Sequence, residues 1–139
     1  MTGCLSGHAQ ADVPRECFQL ETPEGTVLAR HARVAASWLA RMVGLLGRRE
    51  LPQGEALVFP ACNSIHTFGM RFPIDVLFVD RGWRVVAVRE TLPPGRMVWP
   101  IWKAWGVVEL PSGTLSRVGV AVGDQLRQAS GCQGASASR

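Results

Sequence analysis

Lysine is almost missing from this 139-residue chain: of its fifteen basic residues only Lys103 is a lysine, and the arginines are scattered apart from the pair Arg48 and Arg49. Nucleic-acid binding proteins gather their cations into a patch or stripe that neutralises phosphates. The net charge of +4 and the pI near 9.4 therefore read as a solvated basic surface, and no nucleic-acid partner is expected. Long apolar runs are missing as well. No stretch reaches the roughly eighteen consecutive apolar residues of a membrane-crossing helix, so no membrane span is expected. The four cysteines, Cys4, Cys17, Cys62 and Cys132, show no CxxC spacing. Closed zinc sites need grouped ligands and disulfide frameworks belong to secreted chains, so neither is expected. The first thirty residues hold Asp12, Glu16, Glu21 and Glu24 and no apolar run of signal-peptide length. A cytoplasmic location is the expectation that follows. Internal repeats are lacking, and so is the strand–helix alternation that a doubly wound parallel sheet requires.

What is present describes a folded domain. Apolar residues make up 47% of the chain and charged ones 19%, enough hydrophobic surface to offset the entropy of ordering. The stretches 1–15 and 129–139 are rich in Gly, Ser and Ala and lack periodicity, which predicts flexible tails around a single globular domain over 16–128. "RVAASWLARMVGLLGR" is the one good helical stretch. Trp38, Met42, Leu45 and Leu46 fall on one face, although Gly44 weakens it. After it the signals turn to strand. "ALVFP" is a short apolar run, and "DVLFVD" and "WRVVAVRET" read as strands joined by a tight turn at Asp80, Arg81 and Gly82. The second of these is apolar on both sides through Val85 to Val88, as a central strand would be. "WGVVELP" adds a strand, "SGTLSRVGV" a short helix capped by Ser112, and "GDQLRQ" an edge strand. The fold class is mainly β (α+β): a compact, largely antiparallel, barrel-like sheet with one principal helix.

The chemistry concentrates in "CNSIHTFGMRFPID", Cys62 to Asp75. Cys62 and His66 are weak candidates for a nucleophile and its base. Four residues of extended strand separate two side chains by about 13 Å, so pairing requires "NSI" to bend, which Asn63 and Ser64 favour. The alternative is a cysteine packed as a small hydrophobe beside a hydrogen-bonded histidine, and structure or noncovalent binding is the preferred reading. Cys62, His66 and Met70 also have soft-metal character, but no second histidine lies near and no metal or cofactor is expected. Asp75, entering a strand behind Pro73, is expected to bond backbone amides or Arg71. Glu109 interrupts "VVEL" and, facing inward, needs an arginine (Arg48, Arg71 or Arg89) or several donors. In "MVWPIWKAW" the indoles of Trp99, Trp102 and Trp105 recur every third residue, while Pro100 favours an irregular loop. Burial as a seal over a small core is preferred there to exposure for stacking on a ligand.

The pieces "VGLLGRREL", "ALVFP", "FPIDVLFVDRGWRVVAV" and "VVELPSGTLSRVGVAVGDQL" together resemble the bacterial and archaeal family called domain of unknown function 192, over roughly Val27 to Leu126. Gly44, Leu45 and Arg48 match its first element, Pro73, Ile74 and Asp75 its second, and Glu109, Leu110 and Gly113 its third. Where many relatives have Trp-Met-Lys-Asn-Thr before the proline, this chain has "HTFGM". The resemblance implies a compact β-rich fold and supplies no activity, cofactor or catalytic set. The reading that follows is a noncatalytic ligand-binding or accessory domain. Its cleft is formed by His66, Met70, Arg71, Trp99 and Trp102, braced from beneath by Asp75 and Glu109, and takes a small anionic or aromatic ligand or peptide. The alternatives are a thiol enzyme using Cys62 and His66, and an interaction subunit that docks a protein partner.

Overall fold

A computed structural model describes residues 17–35 and 51–130. The tails, apart from Ala129 and Ser130, lie outside it, and so does the predicted helix beyond its first residues. Of that helix Arg33 and Val34 are instead strand, the end of β2. Nine strands and one helix are described: β1 Phe18–Glu21, β2 Val27–Val34, β3 Glu55–Pro60, β4 Ile65–His66, β5 Ile74–Val79, β6 Val85–Leu92, β7 Met97–Val98, β8 Gly106–Pro111, α1 Thr114–Val118 and β9 Arg127–Ser130. Seven strands make one sheet in the order β6-β5-β8-β3-β2-β1-β9, and β4 pairs with β7 in a separate ribbon. The fold is mostly β, as the residue pattern implies.

The sheet is mixed, since β2 and β3 run parallel while its other ladders are antiparallel. It is also not closed into a barrel. The chain ahead of β9 does curl back to the head of β6, where Val85 N–H donates to Asp124 O at 2.8 Å and Leu126 N–H to Trp83 O at 2.9 Å. Pairing there amounts to one antiparallel bridge, Arg84 to Gln125, and goes no further.

Strands β5 and β8 are buried at every position, so they and not β6 form the double-sided centre. β6 is an edge strand, because its second half carries Arg89 and Glu90 into solvent. Alternation along β5 and β8 divides the core in two. Leu77, Val79, Val108 and Leu110 face one side with Phe18, Leu20, Trp83 and Leu115. Ile74, Val76, Phe78 and Val107 face the other with Phe59, Ile65, Met70, Phe72 and Val98. The first side is closed by α1, which packs against β2. On the second lies the β4–β7 ribbon.

The Asp80 turn forms as its residues dictate. Asp80 Oδ1 accepts the amides of Gly82 (2.9 Å) and Arg84 (3.0 Å), an Asx-type arrangement that fixes the link between β5 and β6.

Candidate functional site

Asp75 and Glu109 sit on neighbouring strands but on opposite faces of the sheet. Asp75 stands opposite Leu110, whereas Glu109 stands between Leu57 and Val76. Both are fully buried. Asp75 accepts Thr91 N–H on Oδ1 (2.8 Å) and Leu115 N–H on Oδ2 (2.9 Å). It is thus the cap of α1, whose first turn has Gly113 at the N-cap and no side-chain cap of its own. Ser112, the expected cap, bonds the Thr91 hydroxyl instead, at 3.4 Å. The two carboxylates therefore do not brace one cleft from a common floor. Of the arginines the sequence offers to Glu109, Arg48 lies outside the described residues, and Arg71 and Arg89 are exposed.

The histidine segment and the tryptophan loop do meet. Ile65 pairs with Val98 and His66 with Met97. Thr67 N–H bonds Arg96 O (2.8 Å) and Ile101 N–H bonds Asn63 O (2.9 Å). The Thr67 hydroxyl donates to Pro93 O at 2.7 Å and accepts Arg96 N–H at 2.9 Å, clasping both ends of the turn whose bend Gly95 permits at φ 80°. His66 is buried and stacked on Phe68, ring centroids 4.8 Å apart at 24°. Met70 is core beside Phe72. Arg71 is exposed, and Trp99 and Trp102 are 76% and 90% exposed, so these two indoles do not seal a core. Trp105, half-buried, is the member of the trio that packs inward, edge-on to Trp83.

Cys17 and Cys62 are both disulfide-bonded, and among the described residues no cysteine is a free thiol. This corrects the expectation of a chain without disulfides. Spacing was a poor guide because bridges join positions close in space and not in sequence. A disulfide sulfur holds no thiolate, so in this state Cys62 has no nucleophile to offer His66. Among the described residues no three His, Cys, Asp or Glu side chains gather as metal ligands would.

Concavity lies elsewhere, where the Asp80 turn meets the end of the tryptophan loop. An open hollow of about 460 Å³ is lined by Asp80, Arg81, Gly82, Trp102, Lys103, Ala104 and Trp105. The Arg81 guanidinium stands 5.9 Å from the centroid of the Trp105 ring, within cation–π range. The loop is anchored on both sides: Trp105 N–H donates to Val79 O (2.7 Å) and Cys62 N–H to Trp105 O (2.8 Å). Two cations and two indoles thus flank one depression. Of the residues expected to form the cleft only Trp102 lines it, although Trp105 too stands out in the sequence as one of the three indoles. Arg81 and Lys103 were missed because Arg81 reads as a turn residue, and the signal available was a lone lysine between two tryptophans.

Comparison with known proteins agrees with this architecture. The family DUF192, described as "Uncharacterized ACR", matches residues 19–128. A UPF0127 protein of Pyrococcus horikoshii is 37% identical over 101 residues, covering 68% of this chain and 84% of the relative. Two crystal structures share the fold. One, from Sinorhizobium meliloti 1021, is of a protein provisionally named a transcription regulator (TM-score 0.66, 22% identity, 86% of this chain and 98% of that one). The other, from Novosphingobium aromaticivorans DSM 12444, is of a protein of unknown function (TM-score 0.65, 20% identity, 88% of this chain and 93% of that one).

Proposed function

From the premise that the chain belongs to the uncharacterized family DUF192, we propose that it is a noncatalytic binding domain for a small aromatic anion, taken in the hollow between the Asp80 turn and the tryptophan loop. The observation that carries this reading is the convergence of Arg81 and Lys103 with Trp102 and Trp105 around one depression. A flat ring lies against an indole face, and a carboxylate or phosphate on that ring meets the guanidinium and the ammonium. Asp80 also borders the hollow, with its Oδ1 taken by the amides of its own turn, so a bound anion is met by two cations against one carboxylate. The hollow is open, so affinity is modest and selection rests on the pairing of ring with charge.

His66, Met70, Asp75 and Glu109 have supporting roles in this reading. His66 and Met97 join the ribbon to the loop, and Asp75 holds α1 in place. The test is a titration of the intrinsic tryptophan fluorescence with 1-naphthoate, using cyclohexanecarboxylate and naphthalene methanol as controls lacking the ring or the charge. Saturable quenching by naphthoate alone, weakened about fivefold or more by Arg81→Met and by Trp102→Ala, supports the proposal. Linear, non-saturating quenching that both variants share with the native chain overturns it.

A further inference from the structure

Four large apolar side chains stand out from the fold on the ribbon and the loop beyond it: Phe68 at 46% exposure, Met97 at 51%, Trp99 at 76% and Trp102 at 90%. They lie on two segments that the ribbon joins. Phe68 stacks on His66, His66 pairs with Met97, and Trp99 and Trp102 follow Met97 along the same strand and loop. Water-exposed indoles and phenyl rings at such density need a reason, since burial of any of them would be favourable.

Within the two segments that build this ridge, charge is of one sign. The stretch from Cys62 to Phe72 contains Arg71, the stretch from Pro93 to Trp105 contains Arg96 and Lys103, and neither contains an aspartate or glutamate. Arg71, Arg96 and Lys103 are all exposed. Apolar tips whose own segments carry cations and no acid, next to Asp80 where Trp102 and Lys103 border the hollow, complement a surface that is anionic outside and apolar just beneath.

We propose that this ridge docks the protein onto an anionic lipid bilayer, with Trp99 and Trp102 entering the headgroup region and Arg71, Arg96 and Lys103 held against the lipid phosphates. Indoles favour that boundary because their rings are apolar and their N–H groups remain wet. Each cation near the surface adds to the attraction within a Debye length. A bilayer suits the ridge better than a folded partner does, because Trp99 and Trp102 project with most of their surface uncovered and lipid adapts its packing to whatever projects into it. The ridge is also braced for insertion, through the bonds of Asn63 O to Ile101 N–H and of the Thr67 hydroxyl to Arg96 N–H. This inference shares Trp102 and Lys103 with the small-ligand reading but does not depend on it, as Phe68, Met97, Trp99 and Arg96 line no part of the hollow.

The experiment is co-sedimentation of the full chain with phosphatidylcholine vesicles containing or lacking phosphatidylglycerol, at low and at physiological salt. A parallel measurement uses vesicles with brominated acyl chains, which quench indoles that enter the bilayer. Binding to the anionic vesicles only, weakened by salt and accompanied by bromine quenching, is expected. Trp99→Ala with Trp102→Ala should weaken it at least about tenfold, and Arg96→Gln and Lys103→Gln about fivefold each. Circular-dichroism melts of the variants superposing on that of the native chain exclude misfolding as the cause. Failure to bind anionic vesicles at low salt, or equal binding by the tryptophan variants, overturns the proposal. So does capture of an acidic, aromatic peptide without any binding to vesicles, which would assign the ridge to a protein partner.

Discussion

Asp75 Oδ2 accepts the N–H of Leu115, forty residues further along the chain, at 2.9 Å. One buried carboxylate thereby fastens the helix that covers one face of the sheet, while its other oxygen holds Thr91 N–H at the end of β6. Thr91 adopts a left-handed φ of 49° to present that amide, a conformation a β-branched residue avoids unless held.

Replacing Asp75 by Ala leaves two amides without their acceptor and should cost about 3 kcal/mol or more, given roughly 1.5–3 kcal/mol for a hydrogen bond to a charged group. Asp75→Asn, which keeps one acceptor oxygen, should cost visibly less. Urea unfolding of the three proteins checks the order. Equal stability of Asp75→Ala and the native chain would contradict the capping role.

Trp83 and Trp99 should behave as opposites. Trp83 is 5% exposed and meets Phe18 edge-on at 6.1 Å and Trp105 at 6.5 Å, so Trp83→Ala should cost about 3–5 kcal/mol. Trp99→Ala and Trp102→Ala remove exposed side chains and should stay within about 0.5 kcal/mol of the native stability. Thermal melts decide, and a large loss on truncating Trp99 would restore the sealing role read from the sequence.

Thr67 is fully buried, and its hydroxyl serves Pro93 O and Arg96 N–H together. Thr67→Val keeps the shape and deletes both bonds, at a cost of about 1–3 kcal/mol. The loss should be local. Hydrogen exchange at Arg96 and Met97 should accelerate well before that of β5 or β8, and uniform acceleration across the sheet would argue against a local clasp.

Cys17 and Cys62 should resist alkylation in the native, non-reduced protein and react after reduction. Reduction should lower stability by about 2–4 kcal/mol, read as a lower urea midpoint with a steeper slope, because the unfolded chain without its bridges exposes more surface. It also bears on where the chain matures, because bridges of this kind persist in oxidising compartments. Native labelling of Cys62 would restore the thiol chemistry set aside above.

The sequence was informative where a side-chain period is repeated often enough to be counted. "ALVFP", "DVLFV" and "GVVELP" became β3, β5 and β8, and the Asp80 turn was read from the aspartate and glycine that build it. It was silent where a structure is decided by distant partners. β4 and β7 are two residues each, too short to show any period, yet they unite the histidine and tryptophan segments. Nothing local marks Asp75 as the cap of α1. β6 misled because Val85 to Val88 have the apolar run of an inner strand, and only the Arg89–Glu90 continuation betrays the edge. The hollow was half legible: its indoles were singled out, its cations were not.

The single bridge of Arg84 to Gln125 has a further effect. An incompletely rolled sheet keeps two borders whose backbone groups invite stacking by fellow chains, the usual route to fibrous aggregates. Here the start of one border is occupied by the approach to the other, its far half carries Arg89 and Glu90, and a register irregularity between Ile74 and Val76 twists the ladder beside it. That border is guarded against polymerisation without completion of the ring.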